Sequence, residues 1–360
     1  MNLVSMSYRA AVVLSLASIS LPLAAQDEPP PLPSKDEIAA LLAAEDVPGL
    51  AMAVIADCEV QQVVAIGQAN VEQALPVTEK TVFEAASLSK PVFAWLVMSL
   101  VEEGQIDLDR PLAADMEYPR VADREAFAAI TPRMILSHRT GFPNWVGEDA
   151  NFYERETPIP SIASPGAGFS YSGEAFQMLQ ALVEQQTGQS LEAIFRERLG
   201  DVMPHSSWIL PPRAGTTASR GYGAASDPTT GRVLGDEDSA FLHGLAAGSL
   251  ITTAGDYGAF IAHVCNRQGL SEETYDMMLA PVTDVPAGNG NPASSFALGW
   301  NVRPLGEATL IGHDGNNGEY RTIAGFLPEL REGIVILTNG ANGFAVIEPI
   351  LGPEPEAANP

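Results

Sequence analysis

The stretch that decides the fold is Phe83-Glu84-Ala85-Ala86-Ser87-Leu88-Ser89-Lys90-Pro91-Val92-Phe93-Ala94-Trp95-Leu96-Val97-Met98-Ser99-Leu100-Val101-Glu102-Glu103-Gly104. Val92, Phe93, Leu96, Val97, Leu100 and Val101 recur at helical spacing, and Trp95 and Met98 fill part of the remaining circumference. The pattern predicts a helix from about Ser87 to Glu103 that stops at Gly104, and a helix apolar nearly all round belongs at the centre of a large domain. Pro91 marks its beginning, because proline is tolerated only near a helix start. Ser87 and Lys90 are three residues apart and share a face, so hydroxyl and amine can meet there. Burial and the positive helix end both disfavour an ammonium, which lowers the lysine pKa toward that of a base. The same dipole favours an oxyanion formed when Ser87 attacks a carbonyl. A serine three residues before a lysine is by itself a common accident on a solvated helix turn. The apolar helix behind this one argues against that origin.

Outward from this helix, Leu50 to Ile55 and Val60 to Ile66 are β runs joined by a short turn, which predicts a hairpin. Before them, Ser34-x-x-Glu37 has the form of a capping box that opens a helix through about Ala44. Helices are expected over Glu174–Gln186, ending at Gly188, and over Leu191–Leu199 after a Ser190 cap. Thr253-x-x-Asp256 is a further capping box, and Ala308–Gly312, Tyr320–Leu327 and Gly333–Leu337 read as strands. Strands, then helices, then strands predict an α+β protein: an antiparallel sheet from both chain ends, flanked by helices, with a mostly helical domain inserted. The expected division is 34–109 with 239–352 as a discontinuous α/β domain and 110–238 as the helical and irregular insert.

Ahead of these lie a signal peptide over 1–25 and a proline-rich spacer over 26–33; residues 353–360 form a tail. Arg9 precedes an apolar run from Ala10 to Ala24, which ends in Leu23-Ala24-Ala25 before Gln26-Asp27-Glu28. The run is shorter than a membrane span needs, so it reads as a secretory leader cleaved near Ala25, and the expected destination is secreted or periplasmic. No stable membrane insertion is expected after cleavage. Two cysteines, Cys58 and Cys265, are no disulfide framework, and Cys265 falls on the apolar side of a predicted helix. Two free thiols are the expectation. A formal net charge of −26, spread along the chain, repels phosphate backbones and speaks against nucleic-acid binding.

The segment from Phe83 to Asp109 resembles the nucleophile helix of class C β-lactamases and their esterase and D-peptidase relatives, within the β-lactamase/penicillin-binding superfamily. Four further segments agree with that family in order: Ile135-Leu136-Ser137-His138-Arg139-Thr140-Gly141-Phe142-Pro143, Pro165-Gly166-Ala167-Gly168-Phe169-Ser170-Tyr171-Ser172, Ala246-Ala247-Gly248-Ser249-Leu250 and Gly312-His313-Asp314-Gly315. The resemblance implies a β-lactamase/transpeptidase-like fold and an acyl-enzyme on Ser87, with Lys90 and Tyr171 as catalytic partners. The family's Tyr-x-Asn reads Tyr171-Ser172-Gly173 here. Tyr171 is expected to be a base or proton relay, its pKa of about 10 lowered by a cation such as Lys90.

Gly173 is a departure, since the family's asparagine amide contacts amide-bearing substrates. Ester hydrolysis is therefore expected to exceed hydrolysis of β-lactams, and Gly173→Asn is expected to narrow the gap. The third motif is His313-Asp314-Gly315, where a histidine titrating near about 6.5 replaces a fixed cation. Gly315 is expected to allow close substrate approach, and the Asn316 backbone N–H to join that of Ser87 in an oxyanion hole.

No serine sits in a G-x-S-x-G elbow, and the five histidines show no H-E-x-x-H spacing, so an α/β-hydrolase and a metallohydrolase are disfavoured and no metal or cofactor is implied. The partner expected is a small-molecule ester, amide or lactam. A β-lactamase or D-alanyl-D-alanine-type peptidase, and a non-catalytic binding or sensor protein on the same fold, are the alternatives. The oligomeric state is left open.

Overall fold

The computed structural model describes residues 32–147, 156–223, 239–288 and 292–352. The expected signal peptide, most of the expected spacer and the C-terminal tail lie outside them. The strands are β1 (Gly49–Ala56), β2 (Glu59–Asn70), β3 (Leu75–Pro76), β4 (Thr81–Glu84), β5 (Thr217–Ala218), β6 (Ile251–Thr252), β7 (Thr283–Val285), β8 (Ser294–Phe296), β9 (Asn301–Leu305), β10 (Ala308–Asn316), β11 (Arg321–Leu327) and β12 (Glu332–Thr338). The helices are α1 (Lys35–Ala44), α2 (Ser89–Glu102), α3 (Arg124–Ala129), α4 (Pro132–Leu136), α5 (Gly173–Thr187), α6 (Leu191–Leu199), α7 (Ser239–His243), α8 (Ala254–Cys265), α9 (Glu272–Leu279) and α10 (Gly343–Leu351).

One large sheet has the order β3-β2-β1-β12-β11-β10-β9-β8-β7, with antiparallel pairs throughout. The fold is α+β, and the sheet is drawn from both ends of the chain. Strand β1 shows why this seam sits at the centre. Its side chains alternate between the two faces: Ala51, Ala53 and Ile55 join the core under α2 and α8, while Leu50, Met52 and Val54 join the core under α1 and α10. A strand apolar on both faces is stable only when covered on both. Gly258 of α8 brings that helix close to the sheet, since a Cβ there would lie 2.9 Å from that of Ala53.

The predicted caps close, except that the box at Thr253 is only half formed, the Asp256 carboxylate accepting from His205 N–H and Ser206 Oγ instead. Ser34 and Glu37 form a reciprocal capping box, and Thr253 and Ser190 accept from the N–H groups of Asp256 and Ala193. Gly188 ends α5 in the left-handed conformation. From α3 to α6 the chain is helical and irregular. Residues 217–222 then run back along the α/β part: Thr217 donates to the Lys80 carbonyl, Arg220 to that of Ala69 and Tyr222 to that of Asn339.

Two expectations change. The cysteines are not free: Cys58, in the β1–β2 turn, is bonded to Cys265 at the end of α8, with Cα atoms 5.6 Å apart. A cysteine on the last turn of a helix can lean on a core and still reach a neighbouring turn. The nucleophile helix also starts later, as a 3-10 turn over Ala86–Leu88 precedes α2 at Ser89. Among the described residues no helix is long and apolar enough to cross a membrane, and no cluster of potential ligands could hold a metal ion.

Candidate active site

Ser87 sits on the 3-10 turn, partly open between fully buried neighbours. Ala86 before it has φ +50°, a left-handed conformation that L-residues adopt only when the surroundings compel it. The compulsion is visible. Ser89 Oγ donates to the Ala86 carbonyl at 2.6 Å, Thr322 Oγ1 to that of Ala85 at 2.9 Å and Tyr257 Oη to that of Leu88 at 2.8 Å.

Lys90 is 1% exposed. Its Nζ donates to Ser87 Oγ at 3.0 Å and to the Ala247 carbonyl at 2.7 Å. Burial pushes its pKa from 10.5 down to about 7, against an opposing pull from Asp314. The segment that offers this carbonyl is itself held from α5. Gln180 Oε1 accepts from Ala246 N–H at 2.8 Å, and Gln180 Nε2 donates to the Gly244 carbonyl at 3.0 Å. The sequence carried no local sign of Ala247 as a partner of Lys90.

Tyr171 lies against the same amine, its ring centre 4.8 Å from Lys90 Nζ. The expected lowering of its pKa by Lys90 is absent. Burial pushes the phenol above its ordinary range, and a hydrogen bond with Ser87 opposes this only in part. Tyr171 is therefore a neutral hydroxyl. Its ring stacks 4.2 Å from that of His138, whose Nδ1 accepts the Ser172 N–H at 3.1 Å. Burial and the nearby Lys90 keep His138 neutral, so its proton is on Nε2.

Gly173 opens α5, with Ser172 as its cap. The position is filled rather than open. A Cβ built there would lie 2.4 Å from Cη2 and Cζ2 of the Trp145 indole. Gly173 N–H donates to both the carbonyl and Oδ1 of Asn144, at 3.1 and 3.0 Å. Glu174, buried and paired with Arg120 at 2.8 Å, accepts the Val146 N–H at 3.1 Å.

On the opposite wall, β10 extends past its expected end and carries His313, Gly315 and Asn316 within the strand. His313 is buried beside Tyr171 and Phe296, at centroid distances of 6.1 and 5.7 Å. Its Nδ1 donates to the Asp314 carbonyl at 2.6 Å, which leaves a lone pair on Nε2. It does not titrate near neutrality as expected, because burial lowers its pKa to about 4 against the pull of Asp314. Gly315 permits a close approach of the protein itself: a Cβ there would lie 2.5 Å from the Ala85 carbonyl oxygen and 2.2 Å from Thr322 Oγ1. The Gly315–Asn316 peptide thus runs beside the turn that carries Ser87. Asn317 ties the next turn down through Glu84 Oε2 at 2.8 Å and the Gly248 carbonyl at 3.1 Å.

A serine, a buried low-pKa lysine, a neutral tyrosine and a glycine-bearing strand thus converge from three distant parts of the chain. The sequence profile described as Beta-lactamase matches residues 35–350. The chain belongs to the β-lactamase family. Its members share a serine-hydrolase fold. Among related sequences, penicillin-binding protein 4 of Amycolatopsis lactamdurans is 32% identical over 184 residues, 49% of this chain and 48% of that protein. Esterase EstB of Burkholderia gladioli is 32% identical over 152 residues, 36% of this chain and 38% of that protein. The matches thus span less than half the length of these relatives. The fold is that of an octameric penicillin-binding protein homologue from Pyrococcus abyssi (TM-score 0.72, 23% identity, 89% of this chain and 77% of that one). It is also that of the D-alanine carboxypeptidase AmpC from Burkholderia cenocepacia (TM-score 0.69, 21% identity, 88% and 97%).

Proposed function

We propose that this β-lactamase-family hydrolase is exported and cleaves uncharged carboxylic esters through an acyl-enzyme on Ser87. The observation that carries the reading is the 3.0 Å contact between Ser87 Oγ and a lysine whose pKa is about 7. At neutral pH a large share of Lys90 is the free amine, which can accept a proton where an ordinary lysine cannot.

Neutral Lys90 takes the Ser87 proton as Oγ attacks the ester carbonyl, and the oxyanion is held by the backbone N–H groups of Ser87 and Asn316. Tyr171 gives its proton to the leaving alkoxide as the C–O bond breaks, and the Lys90 ammonium restores it. Water then attacks the acyl-Ser87 carbonyl, gives a proton to Lys90, and the carboxylic acid leaves as Ser87 recovers its hydrogen.

Two features support esters over lactams and D-peptides. Position 173 presents an indole rather than a side-chain amide, so an amide substrate has no partner there. A histidine with a pKa of about 4 stands at position 313, so no fixed cation there meets a substrate carboxylate.

The test is steady-state hydrolysis of a nitrophenyl ester, a chromogenic cephalosporin and a D-Ala-D-Ala peptide, with mass analysis of Ser87. Ester kcat/KM should exceed that for the cephalosporin more than tenfold, and Ser87→Ala should abolish it. Equal turnover of the cephalosporin would make the protein a β-lactamase. A stable adduct without turnover would make it a sensor.

A further inference from the structure

We propose that Trp145 is a specificity-determining residue of this site, its indole forming the wall beside Tyr171 that selects esters with a flat, apolar acyl group. The inference rests on the hydrolase reading above and adds the substrate class to it.

Three observations carry it. First, Trp145 and any side chain at 173 are mutually exclusive. Indole carbons lie 2.4, 2.4 and 2.8 Å from the place where a Cβ would stand, well inside van der Waals contact. Gly173 is two residues from Tyr171, so the indole takes the flank of the site that a side chain on α5 would otherwise line.

Second, the backbone on either side of Trp145 is held. Asn144 accepts from the N–H groups of Gly173 and Glu174 on one side of it. Val146 N–H is held on the other by Glu174, whose carboxylate is 1% exposed and paired with Arg120. A tryptophan on an untethered loop would have to be ordered by each substrate; this one is already in place, and preorganised aromatic surface gives affinity without that loss.

Third, the neighbouring lining matches it in chemistry. Tyr171, Phe169 and Phe296 form one aromatic group with His138 and His313, with centroid distances of 4.2 to 6.5 Å. Both histidines are kept neutral by burial. Trp145 is only half-buried. A flat apolar acyl group gains from such a surface through area and ring stacking, whereas an acetyl group is too small to reach it.

The full chain is assayed with 4-nitrophenyl acetate and 4-nitrophenyl phenylacetate, so that the leaving group is constant. The wild type should favour phenylacetate by about tenfold in kcat/KM, the scale of one aromatic contact. Trp145→Ala should bring the ratio close to one, and Trp145→Phe should keep most of it. Gly173→Ala, which displaces the indole without deleting it, should lower the ratio like Trp145→Ala. It keeps the test open if Trp145→Ala does not fold. An unchanged ratio in Trp145→Ala or Gly173→Ala overturns the proposal, as does equal loss of both esters in variants that remain folded. Labelling of Ser87 by a fluorophosphonate separates the two failures: without labelling the hydrolase reading falls, and with labelling but an unchanged ratio only the role of Trp145 falls.

Discussion

Replacing Lys90 with methionine should make the protein more stable at neutral pH while removing its activity. The buried amine has a pKa of about 7 against an ordinary 10.5. Between these values the unfolded chain binds a proton that the folded chain does not, so wild-type stability rises with pH across that window. The burden is fully present below pH 7 and gone above about 10.5. Each pH unit of separation is worth about 1.4 kcal/mol, which makes roughly 4–5 kcal/mol in all. Methionine has similar length, no charge and no titration. It leaves the Ala247 carbonyl, which accepts from Nζ at 2.7 Å, without that donor, a loss of about 1–3 kcal/mol for a buried group. The net gain at pH 7 is therefore about 2–3 kcal/mol, and it should shrink and reverse as pH approaches 10. Urea unfolding of both proteins at several pH values measures the difference directly. A stability difference that does not change between pH 7 and 10 would refute the burial of a depressed lysine, whatever happens to the activity.

Ester kcat/KM should rise about tenfold per pH unit below 7 and level off above it, because the free amine of Lys90 is the active form; an inflection near 10 would remove Lys90 as the base. His313, at about 4, should leave no mark on that profile near neutrality. Gly173→Asn should lower stability by about 1–3 kcal/mol through collision with the indole. The displaced indole should still crowd the new amide, so cephalosporin turnover should improve only when Trp145→Ala accompanies it, and improvement by Gly173→Asn alone would show that the displaced indole leaves the site clear. Cys58→Ser with Cys265→Ser should reduce stability by about 2–4 kcal/mol in urea, and an equal midpoint with and without the bond would show it to be incidental. Protein taken from its native export route should begin near Gln26, which N-terminal sequencing checks; an intact Met1 would refute the leader.

Much of this molecule is legible in short stretches. The Ser34 capping box, the β1–β2 hairpin and the serine–lysine spacing each depend on residues within a few positions of one another, and local physics governs them. What escaped depends on distance. Trp145 occupies the space over Gly173 from 28 residues away, and nothing at either position alone predicts the other. The protonation of Tyr171 and His313 escapes a local reading for a related reason. A cation near Tyr171 suggested a lowered pKa, but the aromatic rings packed around it removed water, and desolvation outweighed the charge. The same burial turned His313 from a titrating group into a neutral one. Apolar surroundings for Cys265 do not distinguish a lone cysteine from half of a disulfide.

The placement of β1 between β2 and β12 has a consequence for the order in which the chain must assemble. Leu50 pairs with Thr338, so the first strand to leave the ribosome cannot be completed until almost the last has emerged. At ~5–20 residues per second the wait is on the order of 15–60 s. Throughout it the nascent hairpin offers one unpaired edge and two apolar faces to anything that will cover them. Such an edge invites pairing with another chain. A holding chaperone acting on the N-terminal hairpin, rather than on the later helices, should therefore decide the yield of soluble protein.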